Sequence, residues 1–312
     1  QANRNDSVAA ASLLRPLMDI CDWDSLDQLY LDIKERVASG LETDPSQLIA
    51  PFNSLFLPMT RHEQLDIARH AARRFSTAQD GSSFAHSRPA RRASGRIRIA
   101  YLSSDFHDHA TAHLTLGLYG RHDRNRFEVS AYSIGYPDTS AYRKRISSDC
   151  DHFYDVADLD AKQIAQHIFE QQIDILIDLK GYTGFGRPEI LALRPAPIQV
   201  NYLGYPGTMG ADFIDYLIAD PILIPEAHAQ DYSETVMRLP DSYQPTDDQQ
   251  AVAQDAPDRA SAGLPEGAFV FCSFNAPAKF DRRTFLCWMR ILAAVPGSVL
   301  WLMQPSDLAR RN

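Results

Sequence analysis

The chain has 312 residues, of which 45% are hydrophobic and 23% charged, a balance typical of a globular protein with a sizeable core. Its formal net charge of −9 argues against nucleic acid or an anionic membrane surface as the main partner. No stretch approaches the roughly 18 apolar residues of a membrane span and no secretory signal pattern is visible, so we expect a cytoplasmic protein. The cysteines, Cys21, Cys150, Cys272 and Cys287, form neither a CxxC pair nor a zinc-type spacing, which favours reduced thiols.

Residues 1–75 predict a helical segment. An apolar stripe with helical spacing is formed by Leu26, Leu29, Ile33 and Val37, and a further helix is predicted from about 60 to 75.

Residues 76–95 are small, polar and basic, which predicts a linker. Its arginines, Arg88, Arg91 and Arg92, offer charge for an anion, but a solvated linker is the simpler interpretation.

Residues 96–240 alternate between strand and helix patterns, which predicts a Rossmann-like parallel sheet covered on both faces. The predicted strands are 97–102, 127–134, 173–179, 197–203, 215–219 and 235–239. The predicted helices are 111–120, 140–148, 160–171 and 187–193.

The acidic, Pro- and Ala-rich residues 241–267 predict a connector, and 268–312 contain one β-α-β pattern. A lone β-α-β unit cannot bury both faces of its sheet. It therefore either docks on the first domain or begins a second α/β domain, and we prefer the second alternative.

The most informative stretch is IRIAYLSSDFHDHATAH, residues 97–113. It places Asp105, His107, Asp108 and His109 between the end of a strand and the start of a helix, where open α/β sheets bind ligands. Three interpretations are open. Asp105 with His107, His109 and His113 offers metal ligands, although their spacing fits no standard site. Alternatively, Asp105 caps the helix beside solvated histidines, or the loop provides a general base or a pair that orients a substrate, which we prefer.

Two glycine-containing loops follow other predicted strands, GYTGFGR at 181–187 and LGYPGT at 203–208. The first offers backbone N–H groups to an anion or forms only a tight turn, and it matches neither GxGxxG nor a P-loop. Lys279, just after the strand at 268–275, has the charge to neutralise a phosphate leaving group, although an ordinary surface lysine is the default interpretation.

Together, SSDFHDHATAHL, DILIDLKGYTGFGRPEILALRPAPIQVNYLGYPGT and YSETVMRLPDSYQP resemble the catalytic region of the O-GlcNAc transferase/SPINDLY family, and its bacterial members look closest. The resemblance runs nearly continuously from about Leu13 to Leu302. It implies a GT-B fold, in which two Rossmann-like lobes follow tetratricopeptide repeats. No 34-residue repeat is visible, so 1–75 resemble the helices after the repeats. The resemblance further implies that residues 96–240 are the first lobe and that residues 268–312 are the beginning of a second, donor-binding lobe, which we expect to be incomplete.

The resemblance implies a protein O-glycosyltransferase that transfers a sugar, most simply N-acetylglucosamine from UDP-GlcNAc, to Ser or Thr hydroxyls of an acceptor protein. Transfer in this family inverts the sugar and uses no metal and no cofactor beyond the nucleotide-sugar substrate. His109 matches the histidine once proposed as general base, Asp105 a carboxylate considered for proton transfer, and Thr111 a threonine near the donor sugar.

The resemblance also implies that Leu203 and Gly204 line the donor pocket and that Lys279 stabilises the leaving diphosphate. The chain departs from the family pattern at Ala110, where many members have Pro, and at residues 276–278, where Ala-Pro-Ala replaces polar and aromatic residues. Phe52 lies where the animal enzyme has a second histidine. These departures leave UDP-GlcNAc, GDP-fucose and UDP-hexoses open as donors. They also leave open a GT-B enzyme that acts on small molecules, or a binding module without catalysis.

Overall fold

The computed structural model describes residues 7–38, 49–76, 83–86, 95–251, 254–303 and 306–312. The chain divides into two compact units, a sheet unit, Met59–Gln250, and a second unit made of Gln1–Pro58 and Ala251–Asn312. Along the described ranges, the structure contains no helix long and apolar enough to cross a membrane. The candidate anion-binding residues Arg88, Arg91 and Arg92 lie outside the described residues.

The sheet unit contains seven parallel strands. They are β1 (Ile97–Ser103), β2 (Phe127–Ser133), β3 (His152–Asp155), β4 (Ile175–Asp178), β5 (Ile198–Tyr202), β6 (Tyr216–Ala219) and β7 (Thr235–Arg238). Their order is β3-β2-β1-β4-β5-β6-β7, so the direction of winding reverses between β1 and β4. A crevice forms at such a reversal, outside the carboxyl ends of the two strands.

Helices flank this sheet: α4 (Arg61–Ser76), α5 (Ala110–Thr115), α6 (Ala141–Asp149), α7 (Ala161–Glu170) and α8 (Pro188–Ala192). α7 begins at a capping box formed by Asp160 and Gln163, and it buries Ile164 and Ile168. The core cluster joins residues of β1, β2, β4 and β5, among them Tyr101, Val129 and Val200. The sheet is therefore built by burial of its apolar strands, as the sequence predicts.

Three features of the sheet unit differ from the sequence-based expectations. Strand β3 is absent from the predicted strands. None of the four residues of HFYD is buried, so this segment lacks the apolar run that marks a buried strand in the sequence. The helix expected at 111–120 is shorter: α5 ends at Thr115, and a 3-10 turn, Tyr119–Arg121, follows. Asp247, in the predicted connector, is buried against Gly117.

Part of the predicted linker also packs on the sheet unit. The Phe84 ring stacks on Phe169 with 4.6 Å between ring centroids. The Phe84 backbone N–H donates to the Leu193 carbonyl at 3.0 Å. Residues 83–86 are therefore anchored to the ends of α7 and α8.

The second unit contains α1 (Ser7–Asp19), α2 (Trp23–Ala38), α3 (Pro51–Ser54), β8 (Val270–Ser273), α9 (Arg282–Ala294), β9 (Val299–Leu302) and α10 (Asp307–Arg311). Strands β8 and β9 pair in parallel, so the β-α-β prediction is confirmed. Trp23 of α2 contacts Phe285 of α9 with ring centroids 5.3 Å apart. The predicted fold class, a Rossmann-like sheet with the start of a second α/β unit, is confirmed.

Candidate functional site

The loops after β1 and β4 meet at the point where the strand order reverses, and a buried ion pair joins them. The Lys180 ammonium lies 2.9 Å from Oδ1 and 2.7 Å from Oδ2 of Asp105. The two side chains are 5% and 6% exposed. A charge buried to this extent must be paired, and each of these groups supplies the partner of the other.

Asp105 is also held by hydroxyl groups. Ser104 Oγ donates to Oδ1 at 2.9 Å, and Thr111 Oγ1 donates to Oδ2 at 3.1 Å. Both carboxylate oxygens therefore accept hydrogen bonds from the protein itself. Because both oxygens are engaged by neighbouring groups of the protein, the geometry suits Asp105 to positioning those neighbours.

His109 is the residue that caps α5. Its backbone is extended, and its Nδ1 accepts the Thr111 backbone N–H at 3.2 Å. The interpretation that Asp105 caps this helix is therefore wrong. Asp105 instead accepts the Thr111 hydroxyl, so Thr111 links the carboxylate to the imidazole.

The cap contact bears on which His109 nitrogen carries the proton. An Nδ1 that accepts the Thr111 N–H group must keep its lone pair, so this contact favours a neutral ring with its proton on Nε2. Burial lowers the pKa of His109, and Lys180 lowers it further, while Asp105 opposes the change. In that tautomer, neutral His109 presents a hydrogen-bond donor at Nε2. The general-base role implied by the resemblance stays a prediction, and this geometry favours donation instead.

The other histidines of the loop have separate environments. His113 Nε2 lies 2.7 Å from Asp108 Oδ1, and the His113 ring stacks on Tyr142 with centroids 4.1 Å apart. His107 Nδ1 is buried and finds no hydrogen-bond partner among the described residues. Within the parts of the chain that the structure describes, no group of three or more His, Cys, Asp or Glu side chains is arranged to hold a metal.

Lys180 and Asp178 are site residues that sequence reasoning missed. The Asp178 carboxylate accepts the backbone N–H groups of Lys180 at 3.0 Å and of Gly181 at 2.8 Å, which fixes the turn after β4. Burial raises the pKa of Asp178 to about 6, while these N–H groups oppose the shift. The available signal was the pair of charged residues in Asp-Leu-Lys directly after the apolar run of a buried strand.

Leu203 and Gly204 lie beside this turn. Leu203 has a positive φ of 68°, and a Cβ on Gly204 would overlap the carbonyl oxygen of Leu179. The loop after β5 therefore approaches the backbone of the β4 loop next to Lys180, which is possible only with glycine at position 204. The structure thus places the Leu203-Gly204 pair on the same edge of the sheet as Asp105, His109 and Thr111.

The glycine-containing loop at 181–187 is held by its own hydrogen bonds. The N–H groups of Gly181, Thr183 and Gly186 donate to the Asp178 carboxylate, the Lys180 carbonyl and the Thr183 carbonyl. These N–H groups already donate within the loop, so they are not available to bind an anion. The tight turn is therefore the better of the two interpretations of this motif.

Lys279 belongs to the second unit. It is the last residue of the 3-10 turn Pro277–Lys279, and its side chain is exposed. Its backbone N–H donates to the Ala276 carbonyl oxygen. It lines a cavity of about 890 Å³ together with Trp23 and Tyr30. The structure thus places Lys279 in a different unit of the chain from Asp105, His109 and Thr111.

These features define an α/β domain with Rossmann strand order, whose ligand crevice lies where the β1 and β4 loops meet. Comparison with known proteins then identifies the family. The family described as Glycosyl transferase family 41 matches residues 20–257 and 255–308, and the chain belongs to this family. The family resemblance predicted from the motifs is thereby confirmed.

Two named relatives illustrate the match. The probable UDP-N-acetylglucosamine–peptide N-acetylglucosaminyltransferase SEC of Arabidopsis thaliana is 36% identical over 305 residues, which is 94% of this chain and 31% of that protein. The UDP-N-acetylglucosamine–peptide N-acetylglucosaminyltransferase of Caenorhabditis elegans is 34% identical over 231 residues, covering 72% of this chain and 20% of that protein. The chain therefore spans less than a third of the length of either relative.

A solved structure, a Lys-to-Met mutant of the Thermobaculum terrenum O-GlcNAc transferase, superposes with a TM-score of 0.76 at 25% identity. The superposition covers 95% of this chain and 55% of that one. The predicted GT-B relationship is confirmed by this likeness.

Proposed function

We propose that the protein is an O-glycosyltransferase that moves N-acetylglucosamine from UDP-GlcNAc to Ser or Thr hydroxyls of an acceptor protein. Family membership and the names of the relatives support this activity. The proposal includes a cytoplasmic location, a nucleotide sugar and a protein as partners, and neither nucleic acid nor membrane among them. The observation that carries it is the His109–Thr111–Asp105 network at the reversal point of a family 41 sheet.

In the proposed reaction, the acceptor hydroxyl oxygen attacks the sugar carbon that bears the diphosphate, from the opposite face. The new C–O bond forms as the bond to the diphosphate oxygen breaks, and the hydroxyl proton leaves to a base or to water. UDP departs with the electron pair of the broken bond, and attack from the opposite face inverts the sugar centre. The protein contributes position and charge compensation, so the proposed step needs neither a metal nor a further cofactor.

Each site residue then has a proposed role. Lys279 compensates the charge that develops on the departing diphosphate. His109 donates from Nε2 to an oxygen of the donor or acceptor, Asp105 and Thr111 hold His109, and the Leu203-Gly204 pair forms a wall of the donor pocket.

Transfer is tested with the full-length protein, radiolabelled UDP-GlcNAc and a protein extract of the source organism. We expect label on Ser or Thr residues, and a loss of at least about 100-fold in the rate with Lys279→Met, as for removal of one charge-stabilising donor. Lys162→Met changes an exposed lysine of α7 and is the matched control, with an unchanged rate.

The other outcomes discriminate the alternatives. Calorimetry with UDP- and GDP-sugars measures donor binding by this chain and by the full-length protein. Donor binding with release of a free glycoside and unlabelled protein would indicate a small-molecule GT-B enzyme. A folded full-length protein that binds no nucleotide sugar would overturn the transferase proposal in favour of a binding module.

A further inference from the structure

The imidazole of His109 has two competing partners for its Nδ1 atom. The Thr111 backbone nitrogen lies 3.2 Å away and donates to it. The Asp105 Oδ2 atom lies 3.4 Å away and can only accept from it. The two contacts require opposite tautomers, because Nδ1 must be bare for the first and protonated for the second. If Nδ1 accepts from Thr111, Nε2 carries the proton and is a donor. If Nδ1 donates to Asp105, Nε2 is bare and can act as a base.

The other contacts of Asp105 bear on this competition. The Lys180 ammonium contacts both oxygens of Asp105, at 2.9 and 2.7 Å, and Ser104 and Thr111 occupy further acceptor directions of the carboxylate. The charge of Asp105 is compensated and its lone pairs accept other hydrogen bonds. A further hydrogen bond from a protonated Nδ1 of His109 would therefore stabilise Asp105 little.

We propose that Lys180 is a positioning residue that satisfies Asp105 and thereby holds His109 as its Nε2–H tautomer. The transfer reaction for which this matters rests on the proposed function, whereas the tautomer itself is a property of the folded chain. In the reaction, His109 then donates a hydrogen bond to a substrate oxygen, and the acceptor proton leaves by another route.

The charges around His109 are consistent with this assignment. Asp105 faces it from the β1 loop, together with His107, while His113 faces it from α5 and Lys180 from the β4 loop. Asp105 alone favours an imidazolium, and the other three groups oppose it. Loss of the Lys180 ammonium therefore removes one positive charge that disfavours the imidazolium form of His109. It also removes a hydrogen-bond donor to the Asp105 carboxylate.

The test is ring-nitrogen NMR of the isotopically labelled chain, because long-range 1H–15N correlations distinguish the two neutral tautomers. We expect wild-type His109 to be the Nε2–H form. In Lys180→Met, we expect the proton to move to Nδ1 and bond Asp105, and the pKa of His109 to rise by about one unit. Lys162→Met, which removes an exposed lysine, should change neither property.

A second pair of variants covers the case in which Lys180→Met does not fold because Asp105 is left buried and unpaired. Lys180→Met combined with Asp105→Asn removes both charges and should retain the Nε2–H tautomer. Compared with Asp105→Asn alone, this double variant should show a higher pKa for His109, since the ammonium is gone.

Three results would overturn the assignment. They are a wild-type His109 protonated at Nδ1, an unchanged tautomer in folded Lys180→Met, and equal His109 pKa values in Asp105→Asn and the double variant. None of these measurements needs catalysis. If the NMR result holds while the full-length protein transfers no sugar, the proposed function fails and the role of Lys180 stands.

Discussion

Gly204 shows how closely the loops of the crevice are fitted. A Cβ at this position would overlap the carbonyl oxygen of Leu179, and the preceding Leu203 already has a positive φ. We expect Gly204→Ala to lower the free energy of unfolding by about 1–3 kcal/mol, the usual cost of overpacking a rigid contact. Urea unfolding of the isolated chain measures it.

Gly184 provides the matched control for this substitution. It lies in the loop after β4, and a Cβ there would meet no atom within 4 Å. Gly184→Ala should therefore leave the free energy of unfolding within about 0.5 kcal/mol of wild type. If the two substitutions change the free energy of unfolding equally, the close contact between Gly204 and the Leu179 carbonyl oxygen does not limit the residue at position 204.

Asp178 should make stability depend on pH. Burial raises its pKa from 3.8 to about 6, so the folded state holds a proton that the unfolded chain releases between these values. The corresponding stabilisation is present below about pH 4 and is lost as the pH rises through about 6, and it amounts to roughly 3 kcal/mol. Titration of the carboxyl carbon by NMR locates the pKa directly.

The substitution Asp178→Asn removes this titration. We expect the difference in free energy of unfolding between wild type and Asp178→Asn to change by up to roughly 3 kcal/mol between about pH 4 and pH 6, with wild type favoured at the lower pH. Asp158→Asn, which changes an exposed carboxylate of the same unit, is measured as the control. A curve for Asp178→Asn parallel to that of wild type would contradict the shift.

At the scale of elements, Glu234 joins the start of β7 to the loop that carries Gly204. Its buried carboxylate accepts the Thr208 hydroxyl at 2.7 Å and the Met209 N–H at 2.6 Å. We expect Glu234→Ala to cost about 2–4 kcal/mol of unfolding free energy, because it leaves the buried Met209 N–H without its acceptor and removes the carboxylate bonded to the Thr208 hydroxyl. Chemical denaturation provides the measurement.

Glu226 is the comparison for Glu234. It pairs with Arg238 at 2.7 Å, but its side chain is 86% exposed. Surface ion pairs contribute only about 0–1 kcal/mol, so Glu226→Ala should have a small effect. If the two substitutions cost the same, the buried carboxylate is not what holds the loop.

The elements also show what the sequence could predict. The apolar runs of β1 and β4 indicated buried parallel strands, and their order along the chain indicated a Rossmann-like sheet. Strand β3 lies at the edge of the sheet, where burial is partial and the apolar signal is weak. Edge strands are therefore the elements that hydrophobic patterning identifies least well.

The candidate site was predicted only in part, for a related reason. Asp105 and His109 lie four residues apart, so local spacing was enough to suggest that they act together. Lys180 is 75 residues from Asp105 in the chain, and only the pairing of β1 with β4 brings their loops together. By contrast, the cap of α5 is a local feature, because His109 directly precedes Ala110 and its Nδ1 accepts the N–H of Thr111 two residues on.

At the scale of the whole molecule, the two units differ in how deeply their sheets are buried. Five consecutive residues of β1 are buried, whereas β8, β9 and α9 contain no buried residue along their described lengths. Local stability follows the burial of the hydrogen-bonded backbone. We therefore expect amide hydrogens of β1 and β4 in this chain to exchange at least about 100-fold more slowly than those of β8 and β9.

Hydrogen exchange followed by mass spectrometry checks this expectation, with the edge strand β3 as an internal reference of intermediate protection. Equal protection of β1 and β8 would contradict the argument from burial.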